Sequence, residues 1–394
     1  MTEGMLSGLK VLDLGGRTGA VCGRFLATLG ADVVKLEPQG GEGARVTPSG
    51  EADHAWLANN LGKRSATADL ETAAGQDLAR KLAAQADFLV EAYPPGWLAE
   101  RGLDYAALCA LNPRLIHVAI TPFGQTGPYA GYAGSELVCS ALGGVLNVVG
   151  YEDRAPVKEA LDACIFHANG AGAAGAMFAH LERARSGLGQ QVDVSIQAVA
   201  ASRMTNGILV QQFDGRLLHR TGVHISYGQA RIRTVWTLKD GYCFHALPTG
   251  RFGAPANIAL SKWLDDEGFD NPMQGVDWPN HDRSAIPAET RNRWEAAMDV
   301  FFRSKTKADI ATEGRRRGIN AVVANEPADI LADGHLADRN FLAPFTHEGK
   351  TIRFPDRFLS ASVTPTGTSG PAPAPGAHTA EVLADWLEPA RETA

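Results

Sequence analysis

Three groups of residues have the types and spacing to do chemistry. Gly15-Gly16-Arg17-Thr18-Gly19 follows a short apolar strand and opens a helix, a place where a phosphate can approach backbone N–H groups, although a tight strand-to-helix turn has the same composition. Lys63-Arg64-Ser65, with Lys35 and Arg45, sets basic groups near strand ends, where open α/β sheets bind ligands; solvation at the surface is the plain alternative for each. Asp162, in Glu159-Ala160-Leu161-Asp162-Ala163-Cys164, stands directly before a Gly/Ala-rich helical stretch and is placed to cap it. His117 and His167 sit among apolar residues, where a hydrogen-bonded core histidine competes with a catalyst. No GxSxG elbow, Walker loop or HExxH motif is present, which removes the best support for a serine hydrolase, a nucleotidase or a metalloprotease.

The elements that position these groups follow from hydrophobic patterning. Leu9–Leu14, a helix Val21–Leu29 and a second strand Ala31–Leu36 make a βαβ unit, hence parallel strands with a right-handed crossover. A helix Gln76–Ala86, a strand Asp87–Glu91 and a buried strand Leu115–Thr121 continue the pattern, so the first half is doubly wound α/β. Gly170, Gly172 and Gly175 in the Gly/Ala-rich stretch predict close helix packing. Beyond Gln197 the character changes, with a hairpin around Asp240-Gly241, helical stretches at 289–302 and 307–317, and a Pro/Gly-rich loop before a final helix, Thr379–Leu387. The boundaries expected from this are a first large segment over 1–200, a smaller α/β domain over 225–325, and a return segment over 326–394.

Composition narrows the class. With 394 residues, 37 Lys+Arg against 44 Asp+Glu and a net charge of −7, the chain is of ordinary globular composition and carries no basic block for nucleic acid. The N-terminal stretch has no basic region followed by a long apolar run, and the longest apolar run, Leu137–Val149, falls short of a membrane span, so no signal peptide, no membrane insertion and a cytoplasmic location are expected. Five widely spaced cysteines without a CxxC suit reduced buried thiols, and no metal is expected. Tyr227, Trp236, Tyr242, Phe244 and Phe252 offer aromatic surface that could meet an acyl group, although core packing is the commoner use of such residues.

Eight ordered blocks then resemble the family III CoA-transferases, the group that includes formyl-CoA and carnitine CoA-transferases and the α-methylacyl-CoA racemases. They are Gly8–Leu14, Leu29–Pro38, Gly62–Ser65, Ala86-Asp87 with Glu91, Asn112–Ile116, Phe123–Pro128, Ser186–Ser195 and Gly376–Thr379. The resemblance implies a Rossmann-like large domain formed by both chain ends, a small α/β domain, and an interlocked dimer. It implies coenzyme A or acyl-CoA and a carboxylic acid as substrates, with an aspartate as nucleophile that comes to carry CoA as a thioester. CoA contacts are implied at Arg17, Thr18, Lys35, Arg45, Lys63, Arg64, Ala92, Tyr93 and Arg101.

The chain departs from this pattern at its centre. Counting from both flanks puts the nucleophile slot at Ile165, leaving Asp162 as a substitute, with Glu136 or Glu159 as other carboxylates. The racemase pair fails too, because its histidine slot holds Ser135 and its aspartate falls at Cys164 or Ile165. Around the CoA site the usual Asn-Phe is Ala92-Tyr93, the usual Arg is Glu100 with Arg101 adjacent, and a usual Lys is Glu71. Two readings follow: a subunit of a heterodimer whose homologous sister chain carries the aspartate, and a self-sufficient transferase, as a homodimer, with a relocated carboxylate. A racemase or isomerase with new catalysts and a non-catalytic acyl-CoA-binding protein are the alternatives.

Overall fold

The computed structural model describes residues 4–227, 230–347, 349–368 and 370–388. Its contacts divide the chain into two units: residues 1–147, 158–218 and 333–394 form the larger, and residues 148–157 and 219–332 the smaller. The division therefore falls a few residues outside the boundaries expected at 225 and 325, and the smaller unit includes a ten-residue excursion at 148–157. That excursion joins its unit by backbone bonds, Gly222 N–H donating to the Gly150 carbonyl at 2.9 Å.

In the larger unit six parallel strands, β1 (Lys10–Leu14), β2 (Asp32–Glu37), β3 (Arg64–Thr67), β4 (Phe88–Glu91), β5 (Ile116–Thr121) and β6 (Gln191–Ser195), lie in the order β3-β2-β1-β4-β5-β6. β1, β4 and β5 are almost wholly buried, as their apolar runs require of a sheet covered on both faces. One face is covered by α1 (Gly16–Thr28) and α5 (Ala163–Ser186), the other by α2 (Ala73–Gln85), α3 (Tyr105–Leu111) and the last helix, α9 (Thr379–Leu387). Two of the three glycines of α5 have the expected cause: a Cβ at Gly175 would stand 2.7 Å from Val192, and one at Gly172 3.1 Å from Ile120, so only glycine lets this helix lie so close to β5 and β6, whereas a Cβ at Gly170 would meet Phe25 at an ordinary 3.9 Å. The C-terminal segment belongs to this sheet, for Arg64 of β3 is paired with Glu381 and Asp385 of α9.

Two further helices of this unit are α4 (Glu136–Leu142) and α6 (Thr205–Asp214). The smaller unit contains a two-strand ribbon, β7 (His224–Tyr227) with β8 (Ala230–Arg233), and a three-strand sheet, β9 (Val235–Leu238), β10 (Gly241–Phe244) and β11 (Val322–Ala324). Its core gathers Trp236, Trp263, Phe301 and Phe302 between that sheet and helices α7 (Gly250–Asp266) and α8 (Ala288–Arg303). The stretch expected as one helix at 307–317 is helical with a π-type turn at Ile310–Gly314. The remaining strands, β12 (Leu342–His347) and β13 (Lys350–Pro355), pair as a hairpin in the larger unit.

Candidate functional site

The N-terminal end of α5 holds the slot where the nucleophile was expected. Asp162 occupies the N-cap position there, but its side chain makes no capping bond; it is half-exposed and lies 3.6 Å from Lys158 Nζ. The cap comes instead from α4. Glu136, buried, accepts the Cys164 N–H and the Ile165 N–H, one on each carboxylate oxygen, both at 2.9 Å. Ser135, the expected histidine slot, caps α4 through its hydroxyl. Glu159 is tied to Arg203 by two 2.8 Å bonds, which hold its carboxyl below the usual glutamate range. Cys164 is buried, and burial together with Glu136 pushes its thiol up, so it is not a ready thiolate.

The C-terminal ends of β1, β2 and β4 collect most of the residues expected to contact CoA. Gly15, Gly16, Arg17 and Thr18 form the tight turn into α1: Gly15 N–H is accepted by Asp13, and Gly16 takes φ +51°, which favours glycine. Arg17 is exposed and pairs with Asp53 at 3.1 Å. Thr18 is half-buried, its carbonyl accepting from Asn169 of α5 at 2.6 Å. Ala92 faces Gly19 of the same turn, which brings the β1 and β4 ends together.

The basic residues are placed otherwise than surface solvation would have them. Lys63 is fully enclosed, and its ammonium donates to Asp13 Oδ2 at 2.6 Å, the Ala20 carbonyl at 2.7 Å and Asn60 Oδ1 at 2.8 Å. Burial pushes Lys63 down to about 8 against the pull of Asp13, while Asp13, which burial alone would raise, is held below the usual carboxylate range by Lys63 and Lys35. Lys35, equally enclosed, pairs with Glu42 at 2.9 Å. Arg45 grips Glu37 with Nε and Nη2, gives Nη1 to the Pro373 carbonyl, and stacks on Trp56 at 3.9 Å. Arg64 is shared among Asp32, Glu381 and Asp385. All four are thus committed within the chain.

After β4 the residues Tyr93, Trp97 and Arg101, four apart, form a stack: the Tyr93 and Trp97 rings are parallel at 3.9 Å, and the Arg101 guanidinium lies 3.6 Å over Trp97. Arg101 is also clamped by Glu71 at 2.7 and 2.9 Å. Trp97 was not singled out in the sequence, and helical spacing could not have found it, because Pro94-Pro95-Gly96 makes the stretch from Tyr93 to Trp97 a turn; the stack is a product of that turn.

His117 is buried on β5 and lines a cavity with Glu91, whereas His167 is exposed on α5. Of the aromatic group, Trp236 is in the core of the smaller unit, Tyr242, Phe244 and Phe252 are exposed, and the side chain of Tyr227 lies outside the described residues. Among the described residues no group of three or more His, Cys, Asp or Glu side chains could hold a metal, and no helix is long and apolar enough to cross a membrane.

Comparison with known proteins agrees across the chain. The model of CoA-transferase family III matches residues 6–379. The chain is 30% identical over 402 residues to the succinyl-CoA:(R)-benzylsuccinate CoA-transferase subunit BbsE of Thauera aromatica, covering 98% of this chain and 95% of that one. It is 31% identical over 406 residues to the succinate–glutarate CoA-transferase of Agrobacterium fabrum, covering 99% and 97%. A CaiB/BaiF family protein from Brucella suis has the same fold, with a TM-score of 0.84 at 26% identity over 98% of this chain and all of that one.

Proposed function

Since the chain belongs to CoA-transferase family III, we propose that it moves CoA between an acyl-CoA and a carboxylic acid as one subunit of an assembly whose homologous sister chain carries the nucleophilic aspartate. The observation that carries this reading is the end of α5. The slot side chain is Ile165, which cannot attack a thioester, and the carboxylates around it are otherwise engaged. Glu136 has an oxygen on each of two helix amides and sits at the positive end of the helix dipole, which stabilises the anion and lowers its nucleophilicity. Glu159 is held by Arg203, and Asp162 points to Lys158 in solvent.

The benzylsuccinate relative, itself named as a subunit, supports the same reading. So do exposed apolar side chains on two helices: Phe178 and Leu181 of α5, and Ile208, Leu209 and Phe213 of α6 with Leu217 after it. An interlocked partner, a second copy or the sister chain, is the occupant we assign to them.

CoA, on this reading, lies over the C-terminal ends of β1 and β4, with Arg17, Thr18 and Ala92 at the turn and the Tyr93–Trp97–Arg101 stack beside it. Lys35, Arg45 and Lys63 support that surface from beneath through their ion pairs, whereas Arg64 pairs with Asp32 at the N-terminal start of β2 and so turns to the opposite edge of the sheet. The clamp of Glu71 on Arg101 makes this a weak phosphate site.

The test is the intact mass of the purified chain after incubation with succinyl-CoA, with peptide mapping of any thioester-linked CoA. The expected result is no adduct on the chain alone, and an adduct on the sister chain's aspartate when the two are co-purified. A CoA adduct mapping to Glu136 or Asp162 overturns the proposal in favour of a self-sufficient transferase.

A further inference from the structure

A cavity of about 280 Å³ opens beside β4 and β5, and none of the chemistry above uses it. Its polar lining is Glu91, Asp104, Tyr105, His117, Gln125 and Gln191. Sign and geometry together set the class of ligand. Two carboxylates line the space, Asp193 is near enough to push the Glu91 carboxyl further up, and no Lys or Arg lines it among the described residues. His117 is held neutral by burial, which pushes it down to about 4. A phosphate or a free acid would therefore meet only carboxylates and neutral groups.

His117 is 2% exposed, and both of its ring nitrogens lack a hydrogen-bond partner among the described residues. An orphaned imidazole in the interior is costly unless something completes it. Its Nε2 stands 3.8 Å from Glu91 Oε1, too far for a direct bond, yet a single donor atom between them reaches both at about 2.9 Å. The remaining contact at that oxygen, from Gln125 Nε2 at 3.5 Å, is long, while Glu91 Oε2 is satisfied by the Tyr93 N–H at 2.7 Å. Neutral imidazole presents one acceptor nitrogen, and an ammonium group brings three donors.

We propose that this cavity binds a small organic cation through a primary ammonium group, whose N–H bonds are accepted by Glu91 Oε1 and His117 Nε2. The volume, about nine waters' worth, takes a chain of some six non-hydrogen atoms. The ammonium also supplies the counter-charge that buried Glu91 lacks: without it, burial pushes the carboxyl up to about 7.

The test is a thermal-shift titration of the whole protein at constant ionic strength with 1,4-diaminobutane, using 1,4-butanediol and succinate as neutral and anionic probes of the same length. A saturable rise is expected with the diamine alone. Binding is expected to be about ten-fold weaker at pH 6 than at pH 8, following the ionised fraction of a carboxyl titrating near 7; of the groups facing it, His117 stays neutral over that range, and Asp104, Asp193 and Tyr105 are the others. Glu91→Gln should abolish the response. Asp104→Asn, at a half-buried position before α3 that should not disturb folding, should weaken it several-fold. In nitrogen-15 histidine spectra the diamine should move the His117 ring signals. No saturable shift, an equal shift from butanediol, or wild-type binding in both variants overturns the proposal, leaving the cavity to solvent.

Discussion

Lys63→Met separates a structural lysine from a phosphate ligand. In the wild type the ammonium is out of contact with water and makes three bonds of 2.6–2.8 Å, the shortest to Asp13, itself wholly buried. Methionine keeps most of the volume and removes the charge, so Asp13, Asn60 and the Ala20 carbonyl lose their donor and Asp13 becomes an unpaired interior anion. Breaking a buried pair from one side costs about 3–5 kcal/mol, a large part of the 5–15 kcal/mol that holds a typical protein folded. The surroundings cannot relax cheaply, because Gly23 already abuts the pair: a Cβ there would stand 2.6 Å from Asp13 Oδ2. Urea denaturation followed by circular dichroism at pH 7.5 should show that loss, and Lys63→Met/Asp13→Asn should recover at least half of it. The deficit should narrow in acid. Asp13 of the wild type is held below the usual range, so its stabilisation is present above about pH 4 and fades below it, whereas the unpaired Asp13 of the variant is relieved by taking up a proton. A loss under about 1 kcal/mol, together with weakened CoA binding, would refute the structural role and return Lys63 to the binding surface.

Three other variants probe the surroundings of the β4 end. Glu91 titrates near 7 instead of 4.5, so its contribution to stability falls as pH rises from about 4.5 to 7, by about 3 kcal/mol; His117, pushed down from 6.5 to about 4, contributes the opposite slope of similar size between about 4 and 6.5. The two nearly cancel over their shared range, so relative to the wild type Glu91→Gln should steepen the rise of stability with pH there and His117→Phe should flatten or invert it, as read from urea midpoints at pH 4.5, 5.5 and 6.5; parallel curves would contradict the burial assigned to both. Glu71→Lys should release Arg101 and tighten CoA binding measured by calorimetry, with a steeper salt dependence and under about 1 kcal/mol of stability change, since Glu71 is exposed; unchanged affinity would remove Arg101 from the CoA site.

The parallel sheet was legible because buried strands write themselves as short apolar runs between turn residues, and β1, β2, β4 and β5 all do so. The close packing of α5 was legible from its glycines. The burial of Lys63 was not, because its own neighbourhood gives no sign of enclosure and its partner is found only by folding, Asp13 lying fifty residues away. One trace existed: Asp13 sits inside the apolar strand Val11-Leu12-Asp13-Leu14, and a carboxylate in a buried strand requires a counter-charge somewhere in the fold. The excursion at 148–157 was hidden for a similar reason, since backbone bonds to residues seventy positions away assign a polar loop to its unit and composition carries no record of them.

The cap on α5 bears on how such an assembly divides its work. Two helix amides can satisfy one carboxylate, and Glu136 already has both, reaching them from a different helix. An aspartate at residue 165 would share the first turn with that anion, and two carboxylates so close resist joint ionisation. The isoleucine is therefore compatible with a settled Glu136 where an aspartate would strain it. What this end of α5 retains is a fixed, buried carboxyl cap that ties α4 to α5; on the proposed division of work, the covalent step falls to a residue outside this turn.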